Sequence, residues 1–499
     1  MNCKRCNSVI NAVNQIDSRI FIFLILCCYL LSFIVQSNEE AYFALAKQYV
    51  DPSWIPGSFT LTEWVGTRFL FQTIAGYALQ WLSFEQLSFF GRMFNFLLYA
   101  FPLALIFKEL KINNIGILIF LSIFLLNTNI QAFIGNEWIF KGFEAKTLAY
   151  VLVFYGYYYL LKGKYVLTAL FAALASYFHI LVGGWFFVLV FLYVVFKTLN
   201  FKEICKSGLM YLLIISPFII YLATNLSKSG SVINGIDIDW VSVFFRNPHH
   251  TAPLHTGDTS RIILRIITCS LFFLSGIFYF RKSADENIRK LNLLAMIALC
   301  MIFAGLVISF IDVNGRILKY YLFRIASIGA FSYYLLLLLF IRSIFRKKYK
   351  PLTINIISLI VGIALFLVCV GNNIKKQYTV YQNNTNDLTE LANYCENNST
   401  PDAVYLFLDC EDSFPRKARR DVFVMYKFDP GGGEKIYEWY MRVLAERKLS
   451  EDISYIDTLS SHYKIDYLVA EKEVFYENLK EVYHNHKYYV YEVVTSKSM

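Results

Sequence analysis

The sequence predicts a polytopic α-helical membrane protein with a small soluble α/β domain at its C-terminal end. Hydrophobic residues make up 57% of the 499 positions and charged residues 17%, too apolar a balance for a soluble chain of this size. Mostly apolar runs long enough to cross a hydrocarbon layer about 30 Å thick recur about eleven times before residue 372. Beyond that point the composition turns polar and the pattern changes to short strands and helices.

The net charge of +10 is spread over short clusters between the apolar runs. These are Lys4/Arg5/Arg19, Lys108/Lys111, Lys162/Lys164, Lys197/Lys202/Lys206, Arg281/Lys282/Arg289/Lys290 and Arg346/Lys347/Lys348/Lys350. Such a distribution marks cytoplasmic loops, not a nucleic-acid-binding face, and it puts the N-terminus in the cytoplasm.

Residues 19 to 36 form the first span, a retained anchor, because no small-residue cleavage site follows it. The next apolar segment, 69 to 83, is short and carries Gln72 and Gln80, so it is expected along the outer interface. Residues 89 to 107 then return to Lys108. Further crossings are expected at 113–129, 147–161, 165–178, 181–196, 207–224, 261–280, 291–310, 325–345 and 353–371. This threading makes residues 1–371 a transmembrane domain in a multi-pass inner or plasma membrane protein. Loops 37–66, 130–146, 225–260 and 311–324 open on the outer side, together with the extracytoplasmic tail 372–499.

Within the tail, AVYLFLDC, DVFVMYKF, IDYLVAEK and KYYVYEVV read as strands and EKIYEWYMRVLAERK as an amphipathic helix. The glycines 431 to 433 lack a following Gly-Lys-Ser/Thr and read as a turn, not a phosphate loop. Cys3 and Cys6 form a lone CxxC without a second half. Cys395 and Cys410 are a potential disulfide if the tail is extracytoplasmic.

The polar residues with chemical potential gather in the outer loops. Glu39 and Glu40 follow a span directly, where a carboxylate is costly unless paired or used, although acids also suit the first turn of a helix. Glu137, Lys141, Glu144 and Lys146 are spaced by three and four, a spacing that puts them on one or two adjacent faces if the loop is helical. His179 lies at an outer turn between two spans beside Gly183 and Gly184, which suit close helix packing, and taken alone it reads as a hydrogen-bonded packing histidine. Arg316, Lys319 and Arg324 mark the outer boundary of a late span, where snorkelling accounts for many such residues, and Arg324 is also placed to bind a lipid phosphate. The stretch FFRNPHHTAPLHTGD holds three of the seven histidines, His249, His250 and His255. Its donors suit zinc or manganese, but the spacing matches no helical metal motif, and a divalent metal is the lesser reading. Arg246, His249 and His250 read instead as phosphate-facing groups.

The many spans, an acidic first outer loop followed by an interfacial helix, a second outer loop with an acid and an outer C-terminal domain resemble the GT-C superfamily of membrane glycosyltransferases. RNPHH, the LFR before a late span and RRDVFVMYKFDPGGGEKIYEWYMR also resemble an uncharacterised bacterial family of multi-spanning proteins with GT-C-like architecture. The superfamily resemblance implies a transferase that takes sugar from a polyprenyl-phosphate donor to an extracytoplasmic glycan, lipid or protein acceptor, with no required cofactor. It implies Glu39 or Glu40 as the first-loop base and Glu137 as the second-loop acid. A Glu-Glu pair stands where the superfamily has an aspartate, which leaves the identity of the base open.

Inverting transfer needs one carboxylate to take the acceptor proton and cations to stabilise the departing phosphate. Arg246, His249, His250, Arg324, His179 and Lys141 are the expected phosphate contacts. The rival readings are a transporter or flippase of lipid-linked saccharides and a noncatalytic glycolipid-binding membrane protein. The gathering of polar residues on one side, with few at mid-span, speaks against alternating access.

Overall fold

A computed structural model describes the chain except residues 1–2, 62–65, 226–231, 384–386, 409–410, 429, 431 and 495–499. Each of the expected crossings is occupied by a helix. By length and composition, seven described helices suffice to cross a membrane, or eight if the pair Ser8–Gln15 and Ser18–Leu30, bent by 94°, is one broken span. Asn114–Leu125 and Tyr165–Phe178 are shorter apolar helices. The chain is a multi-spanning membrane protein.

The chain divides into two compact units. The first comprises Met1–Phe33, Phe89–Thr224 and Val243–Gln377. Its interior is aromatic: Phe331 packs edge-on against Phe120, Phe124 and Tyr157. The Tyr99 hydroxyl donates to the Thr147 carbonyl (2.8 Å), which gives this buried polar group the partner that a membrane interior cannot supply. At Gly183 a Cβ would lie 2.3 Å from the Ser176 backbone nitrogen, so this glycine allows the helices Tyr165–Phe178 and Ile180–Thr198 to touch. Gly184 has no such role, since its Cβ would meet the Tyr211 hydroxyl at an ordinary 3.7 Å.

The second unit joins Ile34–Ser88, Asn225–Ser242 and Tyr378–Met499. Strands β1 (Val232–Ile233) and β2 (Ile236–Asp237) form a hairpin around Asn234 and Gly235. Both turn residues have positive φ (48° and 80°), as the primed two-residue turn demands. Strands β3 (Val404–Phe407), β4 (Asp421–Val422), β5 (Tyr467–Ala470), β6 (Leu479–His484) and β7 (Tyr489–Val493) form one sheet in the order β4-β3-β5-β7-β6. β3 pairs parallel with β4 and β5, and β7 pairs antiparallel with β5 and β6.

The expected helix is present as Gly433–Glu451, entered through Gly432 at φ 95°. β6 and the helix Asp387–Asn398 are additional to the expected elements. DVFVMYKF pairs as a strand only at Asp421–Val422, while Phe423, Val424 and Met425 are buried outside the ladder. Cys395 is buried and free, and Cys410 and Gly431 lie outside the described residues.

The first-loop helix Ser37–Val50 contributes Ala41, Ala44 and Leu45 to the same core as Leu391, Tyr405, Phe407, Phe414 and Val490. Loop residues 58 to 60 are tied to β4 through Asp421. Its carboxylate accepts from the Ser58 hydroxyl, the Phe59 amide (3.0 Å) and the Thr60 hydroxyl (2.9 Å). The helix Phe69–Ala78 packs on Ser37–Val50 so closely that a Cβ on Gly76 would lie 2.3 Å from the Ala46 carbonyl oxygen.

Candidate functional site

In the first unit, the polar loop after residue 130 is irregular, not the helix that the acid and lysine spacing suggested. Gly135 (φ 80°) and Asn136 (φ 49°) take left-handed backbone, which a helix cannot accommodate, and the helix starts only at Ala145. Gln131 staples the loop. Its Oε1 accepts from the Ile139 and Phe140 amides (2.9 and 2.8 Å), and its Nε2 donates to the Phe140 carbonyl (3.2 Å). A side chain at Gly135 would meet the Phe323 Cβ at 2.8 Å, so the glycine lets the loop lie against the segment that carries Arg324.

This brings Glu137, 187 residues away in sequence, onto Arg324: the Nη1 donates to Oε2 at 2.6 Å. The Lys146 Nζ sits 3.7 Å from the same oxygen, 4.0 Å from Glu144 Oε1 and 3.6 Å from the centre of the Trp138 ring. Lys141 approaches that ring at 5.3 Å. Glu137, Glu144, Lys146 and Arg324 are all buried. Burial works against the Glu137 charge, but Arg324, Lys146 and His250 together hold its carboxyl well below the usual carboxylate range. A carboxylate held that low is a poor proton acceptor, and its geometry is that of an anchor for cations.

His250 completes the group. Its Nδ1 lies 2.7 Å from the Gly135 carbonyl oxygen and 3.3 Å from Glu137 Oε1. Two acceptors on one nitrogen assign the ring proton to Nδ1, which leaves Nε2 as the atom for an external group. Pro248 opens the short helix Pro248–Thr251, and the Thr251 hydroxyl donates to the Val243 and Asn247 carbonyls (2.9 and 2.7 Å).

His249 lies beside His250 with ring centres 4.1 Å apart and ring planes tilted by 43°. Burial first, then His250 and Arg246, push its imidazole down to about 4. A base whose folded pKa lies below its ordinary value of 6.5 favours folding fully only above that value. This contribution is lost as the pH falls from about 6.5 through about 4. Thermal melts between pH 8 and pH 4 are expected to show that loss in the wild type and less of it in His249→Gln; identical pH profiles would remove the assignment.

The other expected residues have local partners. His179 caps the helix Ile180–Thr198, its Nδ1 facing the Val182 amide at 3.4 Å. His255 Nε2 meets the Ser309 carbonyl at 3.1 Å, and Asp258 pairs with Arg261 at 2.9 Å. Among the described residues, no group of three or more His, Cys, Asp or Glu is arranged to hold a metal ion.

In the second unit the two first-loop acids differ. Glu39 closes a capping box: its Oε2 accepts from the Gln36 amide and from the Ser88 hydroxyl, both at 2.9 Å. Glu40 meets Arg416 in a two-pronged pair, with Nε to Oε2 at 2.6 Å and Nη2 to Oε1 at 2.9 Å. The Arg416 Nη1 also donates to Glu85 (2.6 Å). Burial pushes the Glu40 carboxyl above its ordinary value, and the Arg416 fork offsets part of that rise. Arg416 was not legible as a site residue; it is 376 residues from Glu40 and carries no local motif.

The whole chain is similar to ArnT from Cupriavidus metallidurans, a GT-C glycosyltransferase whose structure was solved bound to undecaprenyl phosphate. The likeness covers 98% of each chain at a TM-score of 0.50 and 12% identity. The fold is that of this ArnT. The apo structure of the same ArnT aligns at a TM-score of 0.39, with 11% identity and 97% of each chain covered. Residues 386–445 match the model of DUF6798, a domain of unknown function. They include the whole of the tail segment RRDVFVMYKFDPGGGEKIYEWYMR singled out by sequence. No curated protein matches the chain.

Proposed function

We propose that this GT-C-fold protein transfers a sugar from a polyprenyl-phosphate donor to a hydroxyl of an extracytoplasmic glycan, lipid or protein. The observation that carries the reading is the gathering of Lys141, Lys146, Arg324 and His250 around Glu137 and Trp138. Glu137 and Glu144 balance Lys146 and Arg324 inside the protein. Lys141 and Arg246, both half-buried, then offer positive charge and donors to a phosphate, and His250 joins them as a donor through Nε2 when its ring carries both protons.

Arg324 serves chiefly to hold this wall through Glu137; the sequence alone had suggested direct phosphate contact. In the reaction, the acceptor oxygen attacks the sugar carbon, the carbon–oxygen bond to phosphate breaks, and polyprenyl phosphate leaves with the bonding electrons. We assign acceptance of the hydroxyl proton to Glu40, because burial raises its proton affinity, and helix capping to Glu39.

Native mass spectrometry of the purified protein with undecaprenyl phosphate tests the phosphate site. The wild type is expected to retain the lipid, and Lys141→Gln/Arg246→Gln/His250→Gln to lose roughly tenfold or more in affinity, since hydrogen bonds to charged groups contribute about 1.5–3 kcal/mol each. Undiminished retention by a folded triple variant contradicts the site.

A further inference from the structure

The helices Asn114–Leu125, Ala326–Lys348 and Pro351–Asn383 line a cleft of about 850 Å³, within the range of small-molecule sites. Its walls are largely apolar and include Phe120, Leu338 and Ile357; Arg342 and Arg346 stand at one end beside Tyr349. Among its described lining residues there is no carboxylate. The helix Pro351–Asn383 forms one wall of the cleft. At Gly362 it touches the bundle, where a Cβ would lie 3.0 Å from Leu118 Cδ2, and Cys369 Sγ donates to the Ser122 carbonyl at 3.3 Å. Only 11% of the apolar stretch of this helix is buried by protein.

The basic end is built. Arg342 Nη1 donates to the Lys111 carbonyl at 2.7 Å, which fixes the guanidinium at the rim while using part of its donor set. Lys347, Lys348 and Lys350 follow at once, at the end that the positive-inside rule assigns to the cytoplasm. Arg342 is eighteen residues beyond Arg324, about 27 Å along a helix. A phosphate at Arg342 is therefore a different group from one bound near Glu137.

We infer that this cleft binds an anionic glycerophospholipid, with its phosphate on Arg342 and Arg346 and an acyl chain along Phe120, Leu338 and Ile357. Apolar length with a cationic mouth suits such a lipid, as basic pockets between membrane helices do generally. The inference stands independently of the proposed reaction.

Native mass spectrometry of the full-length protein with phosphatidylglycerol or phosphatidylcholine tests it. The wild type is expected to retain phosphatidylglycerol with roughly tenfold preference or more, given two arginines near the headgroup. Arg342→Gln/Arg346→Gln is expected to lose that preference, and Ser358→Trp, which fills the cleft, to weaken retention of both lipids. In the double variant, an unchanged thermal unfolding midpoint in detergent reports an intact fold. Equal retention of the two phospholipids by the wild type overturns the inference, as does an unchanged preference in the double variant. Displacement of phosphatidylglycerol by undecaprenyl phosphate, in a manner that depends on Arg342 and Arg346, also overturns it by assigning the cleft to the donor lipid.

Discussion

Arg324→Ala is expected to be among the most destabilising single substitutions in the first unit, lowering stability by about 3–5 kcal/mol, because it leaves a buried carboxylate without its nearest cation. Glu137 is 1% exposed and Arg324 9%, so water screens neither. The 2.6 Å contact joins the loop after residue 130 to the segment before a late span. Its loss should also release the polar wall that carries Lys141 and His250. Thermal unfolding in detergent measures the effect. Glu137→Ala/Arg324→Ala should be less damaged than the sum of the single variants, because removing both charges removes the orphan. Strict additivity would mean that the pair is not coupled.

Glu40→Gln is expected to lower glycosyl transfer by roughly 10²- to 10⁴-fold, the usual contribution of a positioned general base. The amide keeps the shape of the side chain and one acceptor for Arg416, but it cannot take a proton. Two controls separate this loss from simple damage to the ion pair. Glu85→Gln removes the exposed partner of Arg416 and should leave transfer nearly intact. Glu39→Gln keeps an oxygen for the Gln36 amide and the Ser88 hydroxyl, so it should fold and retain transfer. A folded Glu40→Gln variant with wild-type transfer contradicts the assignment, and equal losses in Glu39→Gln and Glu40→Gln would remove the distinction between the two acids.

The spans were legible because hydropathy over about 20 residues is a strong local signal. The hairpin at Asn234 and Gly235 lies in a segment expected only as an outer loop, although Asn-Gly suits the two-residue turn that it makes. DVFVMYKF shows the limit, since a short apolar run has the same pattern whether it pairs in a ladder or is buried in turns. The acids themselves were visible, but their roles were not. Glu39 and Glu40 are adjacent and chemically alike, yet one caps a helix and the other meets Arg416 across most of the chain length. Likewise, spacing alone suggested a helix for Glu137 to Lys146. The left-handed backbone at Gly135 and Asn136 is what turns Glu137 toward Arg324. Gln131 carries no motif at all; its role follows from the carbonyl and amides that the folded loop presents to it.

The proposed reaction breaks the bond between sugar and polyprenyl phosphate and passes the sugar on. Its most direct test supplies the purified protein in vesicles with polyprenyl-phosphate sugars labelled in the sugar, together with cell-envelope acceptors, and follows both the label and the lipid. The account predicts label on an acceptor and release of an equal amount of unglycosylated polyprenyl phosphate, with both lost in Glu40→Gln. Label that crosses the bilayer while still attached to its lipid, with no polyprenyl phosphate released, would contradict it and identify a flippase.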